Sequence, residues 1–300
     1  MATYSELREH VLDLLWSQWH ELGVAATVPR RHSDDFIDLE PLIVFTAVHG
    51  DMDARLRDES IDWVLQYGSY VSKARLKNVL GDWDLRDDAQ FQDYAATVNA
   101  HGGKGWPAGN GKSFAFRSRA RSLLADLQRP ALLALRIRAI FGVGARAELI
   151  RVFLSHPELA MTAADLSAET NYGKRNVLNE LEPLRFVGLI RSFRAVNADR
   201  FSLAAKDRIE TLVGPIPQRF TKWPHTFAVL HLVLGLARRG AKRHDLENAV
   251  EAVRLLEAHK QHFASAEIYA PQLPAGVSAW PEFLEWATHL TRSIARPGPD

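Results

Sequence analysis

The chain has 300 residues, no cysteine and a formal net charge of +1. The absence of cysteine excludes disulfides, thiolate metal sites and cysteine nucleophiles. An apolar content of 47% and a charged content of 24% are ordinary for a soluble globular protein, and the length favours two or three domains.

The charge is distributed unevenly along the chain. Residues 1–100 hold 9 Lys and Arg against 18 Asp and Glu, whereas residues 101–300 hold 28 against 18. Such an asymmetry indicates that one part faces a polyanion and another does not. The first residues lack the separate basic and apolar regions of a signal peptide. The longest apolar run, residues 227–237, is too short to cross a bilayer, so we expect a cytoplasmic protein with no membrane partner.

Residues 1–100 are predicted to form an acidic, all-helical N-terminal domain. Its apolar residues recur at helical spacing in five segments, which are Ser5–Leu22, Asp38–His49, Ala54–Tyr67, Val71–Leu80 and a helix from Asp87 through Asn99. In the fourth segment, Ser72–Leu80, which follows a helix end at Tyr67-Gly68, is faintly similar to Lys174–Leu178. A second helix-turn-helix is therefore an alternative, which the acidic surroundings disfavour.

Residues 101–140 are predicted to be a basic linker followed by helices. His101–Ser113 is rich in glycine and indicates a flexible loop. The loop lacks the first glycine and the preceding strand of a phosphate-binding loop, so we expect no nucleotide there. Arg117–Leu127 and Pro130–Phe141 are the predicted helices. Eight Lys and Arg against one acid in residues 101–138 favour either a solvated face or contact with DNA phosphate.

Residues 144–203 contain three helical patterns and two strand patterns, within a predicted domain that covers residues 141–213. The first helix is predicted over Ala145–Ser155 and ends at His156-Pro157. The second starts at Thr162, which can form a capping box with Asp165. A turn follows at Asn171–Gly173. The remaining elements are a third helix over Lys174–Leu184, strands over Val187–Arg191 and Arg200–Leu203, a hairpin tip over Arg194–Asp199, and a short helix over Ala204–Leu212.

The segment 144–203 resembles the winged helix-turn-helix domain of bacterial transcription regulators, of the arsenic-repressor and multiple-antibiotic-resistance-repressor type. The resemblance is carried by Ala163–Ser167, Lys174–Leu181, Val187–Ile190 and the basic residues that follow them. It implies a mainly α fold, in which a central winged helix-turn-helix of three helices and a β-hairpin is flanked by all-helical regions. The metal sensing of some such repressors does not carry over, because cysteine ligands are absent.

The resemblance also implies a DNA-binding surface. Helix 174–184 would read the major groove, which admits one helix and displays the base edges, and the wing 191–200 would contact phosphate or the minor groove. Glu180 and Glu182 disfavour this slightly because they repel phosphate. The candidate DNA-binding residues are Thr162, Tyr172, Gly173, Lys174, Arg175, Asn176, Asn179, Arg191, Arg194, Asn197 and Arg200.

Residues 214–300 are predicted to form a helical C-terminal domain. An apolar helix ends near Gly240, and further helices cover Asp245–His259 and Trp280–Ile294. In the helix over Asp245–His259, one apolar stripe is expected to face the core. It consists of Leu246, Val250, Val253 and Leu256. His259 and His262 lack a third ligand at motif spacing, so we expect no metal and no other cofactor.

These patterns predict a sequence-specific transcription regulator that binds double-stranded DNA, is not an enzyme and acts as a homodimer. A small-molecule or protein effector is compatible with the flanking helical regions. The alternative is a protein-interaction module, antitoxin-like or scaffolding, that uses the winged helix for a protein partner. An enzyme or nucleotide-binding protein using the loop His101–Ser113 is the third hypothesis.

Overall fold

The computed structural model describes residues 3–28 and 32–295. Over these residues the protein is mainly helical, with one small antiparallel sheet of three strands. None of the helices in these two ranges is long and apolar enough to cross a membrane.

Five α-helices lie in the described part of residues 1–100. All five were predicted from the sequence, and most of their ends agree with the prediction to within about two residues. Asp53, Ser72 and Asp88 cap three of them through their side-chain oxygens. The second helix lies in the middle of the core, with every residue buried. The helices are α1 (Tyr4–Glu21), α2 (Leu39–Val48), α3 (Ala54–Tyr67), α4 (Lys73–Asp82) and α5 (Ala89–Ala100).

The predicted helix over Arg117–Leu127 is wrong. Residues 112–126, called the extended segment below, contain no helix and lie across α3 and α5. Side chains bind their backbone amides: Asp93 accepts from Lys112 at 2.6 Å, Asp62 accepts from Arg119 at 2.8 Å, and the Tyr67 hydroxyl accepts from Leu124 at 2.9 Å. These bonds replace the helical ones. A 3-10 turn at Pro130–Leu132 then leads into α6 (Leu133–Phe141).

Residues 145–203 form a unit of three helices and a hairpin, called the helix–hairpin unit below. The predictions for its helices are confirmed, including the capping box of Thr162 and Asp165 and the left-handed Asn171 (φ 54°) in the turn. The strands are antiparallel in the order β1-β3-β2. The elements are α7 (Ala145–Ser155), β1 (Met161–Thr162), α8 (Ala163–Thr170), α9 (Lys174–Phe186), β2 (Ile190–Ala195) and β3 (Ala198–Leu203).

The hairpin starts later than the sequence indicated. Gly188 has a φ of 73°, and the amides of Gly188 and Leu189 donate to the carbonyls of Arg185 and Leu184, both at 3.0 Å. This left-handed termination closes α9 and occupies the residues predicted to begin the first strand. The tip is also shorter than predicted, because Ala195 pairs with Ala198.

The C-terminal helices return to the N-terminal ones. The last helix packs on α1, and the long apolar helix packs on α2, so buried residues from both ends of the chain share one core. The helices are α10 (Lys206–Val213), α11 (Trp223–Gly240), α12 (Asp245–Ala258), α13 (Lys260–Ser265) and α14 (Ala279–Ala295).

The predicted inward stripe of α12 is wrong for three of its four residues. Leu246, Val250 and Val253 are 56%, 44% and 42% exposed. Leu256 is buried as predicted, together with Asn248, Ala249 and Ala252. The close packing around Gly240 of α11 explains this orientation. A Cβ on Gly240 would lie 2.5 Å from the Trp280 ring, and Asn248 of α12 donates to the Gly240 carbonyl at 2.9 Å. Small side chains therefore face inward, and three of the four larger aliphatic ones of the stripe remain outside.

Candidate nucleic-acid interface

The outer face of α9 presents a cluster of polar donors. Val177, Leu181 and Leu184 are buried against the rest of the helix–hairpin unit. Because these three set the inward stripe, four of the predicted site residues point away from the core and are exposed, namely Lys174, Arg175, Asn176 and Asn179. Gly173 is the N-cap and is also exposed. The free amides of the first turn add partial positive charge there.

The β2–β3 hairpin places further cations beside α9. Arg191 is exposed and its Nε donates to Ser202 Oγ at 3.0 Å, while half-buried Arg200 donates to the Ala160 carbonyl at 3.0 Å. Arg194 and Asn197 are exposed toward the end of the hairpin. All four predicted wing residues therefore reach solvent, although two of them are partly held by the unit itself.

Two predicted site residues have other roles. Tyr172 is 6% exposed, and its hydroxyl bonds to Ser72, the N-cap of α4. The expectation that Tyr172 reaches a DNA backbone is therefore corrected: its side chain fixes the turn before α9. Thr162 is half-buried, and its hydroxyl accepts from the Asp165 amide at 3.2 Å and donates to the Asp165 carboxylate at 2.9 Å. Its polar group serves the cap of α8.

The charge of this surface is positive where α9 begins. Within residues 174–200 the acids are Glu180, Glu182 and Asp199, against six Lys and Arg. Glu180 forms an ion pair with Arg146 of α7 at 2.8 Å, which offsets its repulsion of a phosphate. Glu182 lies in the second half of the helix. The first turn of α9 therefore presents only cations and amides.

An apolar edge borders the same surface, and the sequence patterns did not reveal it. A groove of about 570 Å³ lies between α9 and the hairpin, with Leu178, Phe193 and Phe201 among its lining residues. Phe186 and Val196 are 89% and 94% exposed. The only sequence signal was the position of Phe193 and Val196 among arginines of the predicted wing.

The turn between α8 and α9 is held by α4. Arg75 donates to the Thr170 carbonyl at 3.0 Å, and Asn78 donates to the Asn171 carbonyl at 2.7 Å. The Asn171 amide nitrogen donates to Asp82 at 3.0 Å. These bonds satisfy the left-handed turn from outside the helix–hairpin unit. The orientation of α9 is therefore fixed relative to the N-terminal helices.

Behind this turn lies a buried network of three arginines and three carboxylates. Arg138 donates to Glu40 and Glu148, each at 2.7 Å. Burial alone would raise the pKa of Glu148, but the neighbouring guanidinium groups outweigh it and lower that pKa. The network joins α2, α4, α6 and α7, and its positive and negative charges are equal in number. Its members are Arg75, Arg138, Arg151, Asp38, Glu40 and Glu148.

Two arginines of the predicted basic run are consequently absent from the surface. Arg138 belongs to the buried network, and Arg136 is buried with its guanidinium donating to the carbonyls of Val213 and Arg129, both at 2.6 Å. The run from residue 101 to 138 therefore offers fewer cations to a polyanion than its sequence indicated.

Comparisons of the chain with protein-family models, curated proteins and solved structures gave no match. What this surface can bind follows from its own side chains. These are guanidinium, ammonium and amide donors beside an exposed apolar edge.

Proposed function

We propose that residues 145–203 form a winged helix-turn-helix and that the protein is a sequence-specific, DNA-binding transcription regulator. The observation that carries the proposal is the exposed start of α9, where Lys174, Arg175, Asn176 and Asn179 lie beside a basic hairpin. The element order α7-β1-α8-α9-β2-β3 with strand order β1-β3-β2 supports the assignment, because it pairs a projecting helix with a neighbouring hairpin.

In this proposal the first half of α9 enters the major groove. Arg175 and Lys174 donate to guanine edges or phosphates, and Asn176 and Asn179 can each bond to an adenine edge. Arg191 and Arg194 contact phosphate or the minor groove next to it. The bonds from α4 to Asn171 keep α9 in one orientation, which reduces the ordering cost of binding.

The proposal includes a homodimer, since two-fold related half-sites are the usual target of such domains. The exposed stripe of Leu246, Val250 and Val253 on α12 is the surface that suits a second copy. If two α12 helices pack antiparallel with Val250 near the centre, Glu247 of each copy lies near Arg254 of the other. Opposite charges then flank the apolar centre on both sides.

The test is selection of bound sequences from random duplex DNA, followed by affinity measurements with Lys174→Ala/Arg175→Ala. We expect this variant to bind the enriched duplex at least about 30-fold more weakly, since each base or phosphate contact contributes about 1–3 kcal/mol. Its dependence on salt should also become less steep. The matched control is Lys242→Ala/Arg243→Ala, which removes two exposed cations between α11 and α12. Equal affinity of the two variants would refute the role of α9.

A second candidate function is binding of a protein partner through the groove between α9 and the hairpin. The exposed aromatic and aliphatic side chains of Phe186, Phe193 and Val196 favour it. The variant Phe193→Ser distinguishes the two candidate functions. A complex with DNA would keep its affinity, because the donors to phosphates and bases are unchanged. A DNA selection without enrichment would favour the protein partner.

A further inference from the structure

A cavity of about 680 Å³ lies between α3 and the extended segment, outside the helix–hairpin unit. The wall from α3 includes Arg55, Glu59 and Asp62, and the opposite wall carries Arg117, Arg119 and Arg121. Its volume is within the range of small-molecule sites.

The cavity is held open by bonds that do not involve the arginine side chains. Asp62 accepts from the Ser118 hydroxyl and from the Arg119 amide at 2.8 Å. Further along, the Tyr67 hydroxyl donates to the Ser122 carbonyl at 3.3 Å and accepts from the Leu124 amide at 2.9 Å. The extended segment is therefore fixed on α3 by its backbone, and the site is formed before any ligand arrives.

The guanidinium groups at the cavity rim are free to bind a ligand. Within the described ranges, the side chains of Arg117, Arg119 and Arg121 make no ion pair or hydrogen bond, and all three are exposed. Two of the three carboxylates that line the cavity have other partners, since Asp58 bonds to Arg57 at 2.7 Å and Asp62 bonds to the extended segment. Arg55 lies over the Trp16 ring, 5.0 Å from its centroid.

The carboxylates of α3 restrict what these arginines can accept. Three acids, Asp58, Glu59 and Asp62, line the cavity together with the arginines. A continuous phosphodiester chain would be repelled by them. A small ligand can instead direct its phosphate to the guanidinium groups, which suit phosphate oxygens, and its hydroxyl or amino groups to the carboxylates, which accept hydrogen bonds.

We propose that this cavity binds a small phosphate ester that also carries hydroxyl or amino donors, of the class of sugar phosphates and nucleoside monophosphates. This binding site is separate from the proposed DNA-binding surface, and the observations that support it do not involve the helix–hairpin unit. The chain runs from α3 through a 3-10 turn at Gly68–Tyr70 into α4, which holds the turn before α9. A bound phosphate ester therefore lies on α3, which is joined to the helix that contacts the turn before α9.

Isothermal titration calorimetry with AMP and ribose 5-phosphate tests the site, with adenosine, ribose and inorganic phosphate as comparisons. We expect at least one of the two esters to bind with a Kd below about 1 mM. Its dephosphorylated counterpart and inorganic phosphate should each bind at least about tenfold more weakly. Lack of binding by both esters, or equal binding by adenosine or ribose, would overturn the proposal. Equal binding by inorganic phosphate would reduce the cavity to a bare anion site and overturn it as well.

The variant Arg117→Ala/Arg119→Ala locates the binding. We expect it to fold normally, because backbone bonds hold the segment, and to weaken the ester by at least about tenfold. Lys242→Ala/Arg243→Ala, with the same change of charge, should leave the affinity unchanged. If the two variants bind the ester equally, the ligand lies elsewhere. DNA affinity is measured separately, so failure of this site and failure of the α9 proposal are distinguishable.

Discussion

Glu148 is the carboxylate of the buried network that lies within 4 Å of all three of its arginines. Its carboxylate bonds to Arg138 at 2.7 Å and to Arg151 at 2.9 Å, and lies 3.8 Å from Arg75. The pKa of Glu148 is lowered because these cations outweigh its burial. Its contribution to stability is therefore present above the pKa of an unfolded glutamate, about 4.3, and is lost as the pH falls toward the lowered value.

Replacing Glu148 by Gln leaves the three arginines short of one negative charge in a buried site. We expect the free energy of unfolding at pH 7 to fall by about 3–5 kcal/mol, the range for removing one partner of a buried ion pair. Urea denaturation followed by circular dichroism measures this. Glu180→Gln is the control, since its pair with Arg146 is partly exposed and should contribute less than about 1 kcal/mol. Similar losses in the two variants would contradict the assigned role of the network.

At the scale of the elements, local signals predicted α7, α8 and α9 well. The cap of Thr162 and Asp165, the left-handed Asn171 and the periodicity of Val177, Leu181 and Leu184 all act within a few residues of one another. The same periodicity determined which side chains of α9 are exposed. The polar part of the candidate site was therefore accessible from the sequence.

Elements whose conformation depends on distant partners were not predictable in the same way. The extended segment is held by Asp62 and Tyr67, more than fifty residues earlier. Tyr172 bonds to Ser72 across 100 positions, so its buried side chain has no local signal. The orientation of α12 depends on the close approach of Asn248 to Gly240 of α11, which the spacing of the aliphatic residues of α12 does not reveal.

The exposed stripe of α12 leads to a prediction at this scale. Val250→Asp places a charge at the centre of the proposed interface between two copies, where it would be desolvated and would face its own symmetry mate. We expect sedimentation velocity to show dimers for the natural chain and monomers for the variant. Val277→Asp changes an equally aliphatic side chain, 58% exposed, in the loop before α14 and should remain dimeric. If Val250→Asp remains dimeric, the interface lies elsewhere on the molecule.

At the scale of the whole molecule, buried His32 and half-buried His49 lie where the N-terminal and C-terminal helices meet. His49 at the end of α2 lies 3.1 Å from His231 of α11, and His32 lies 2.6 Å from Ser17 of α1 and 3.2 Å from the Ile294 carbonyl of α14. Burial, with a smaller effect of His231, lowers the pKa of His49 to about 3. Burial likewise lowers the pKa of His32 to about 4, although the Ile294 carbonyl opposes it.

These histidines should make the protein progressively less stable in mild acid. Below pH 6.5 the unfolded chain binds a proton at each histidine and the folded chain does not, so the free energy of unfolding falls with pH. Between pH 7 and pH 5 we expect a loss of about 2 kcal/mol for each of the two. In urea titrations at pH 7, 6 and 5, His49→Gln should reduce the total loss of stability by about 2 kcal/mol. His289→Gln, at an exposed position of α14, should leave the loss unchanged. If His49→Gln loses as much stability between pH 7 and pH 5 as the natural chain, the junction between α2 and α11 does not carry the pH dependence.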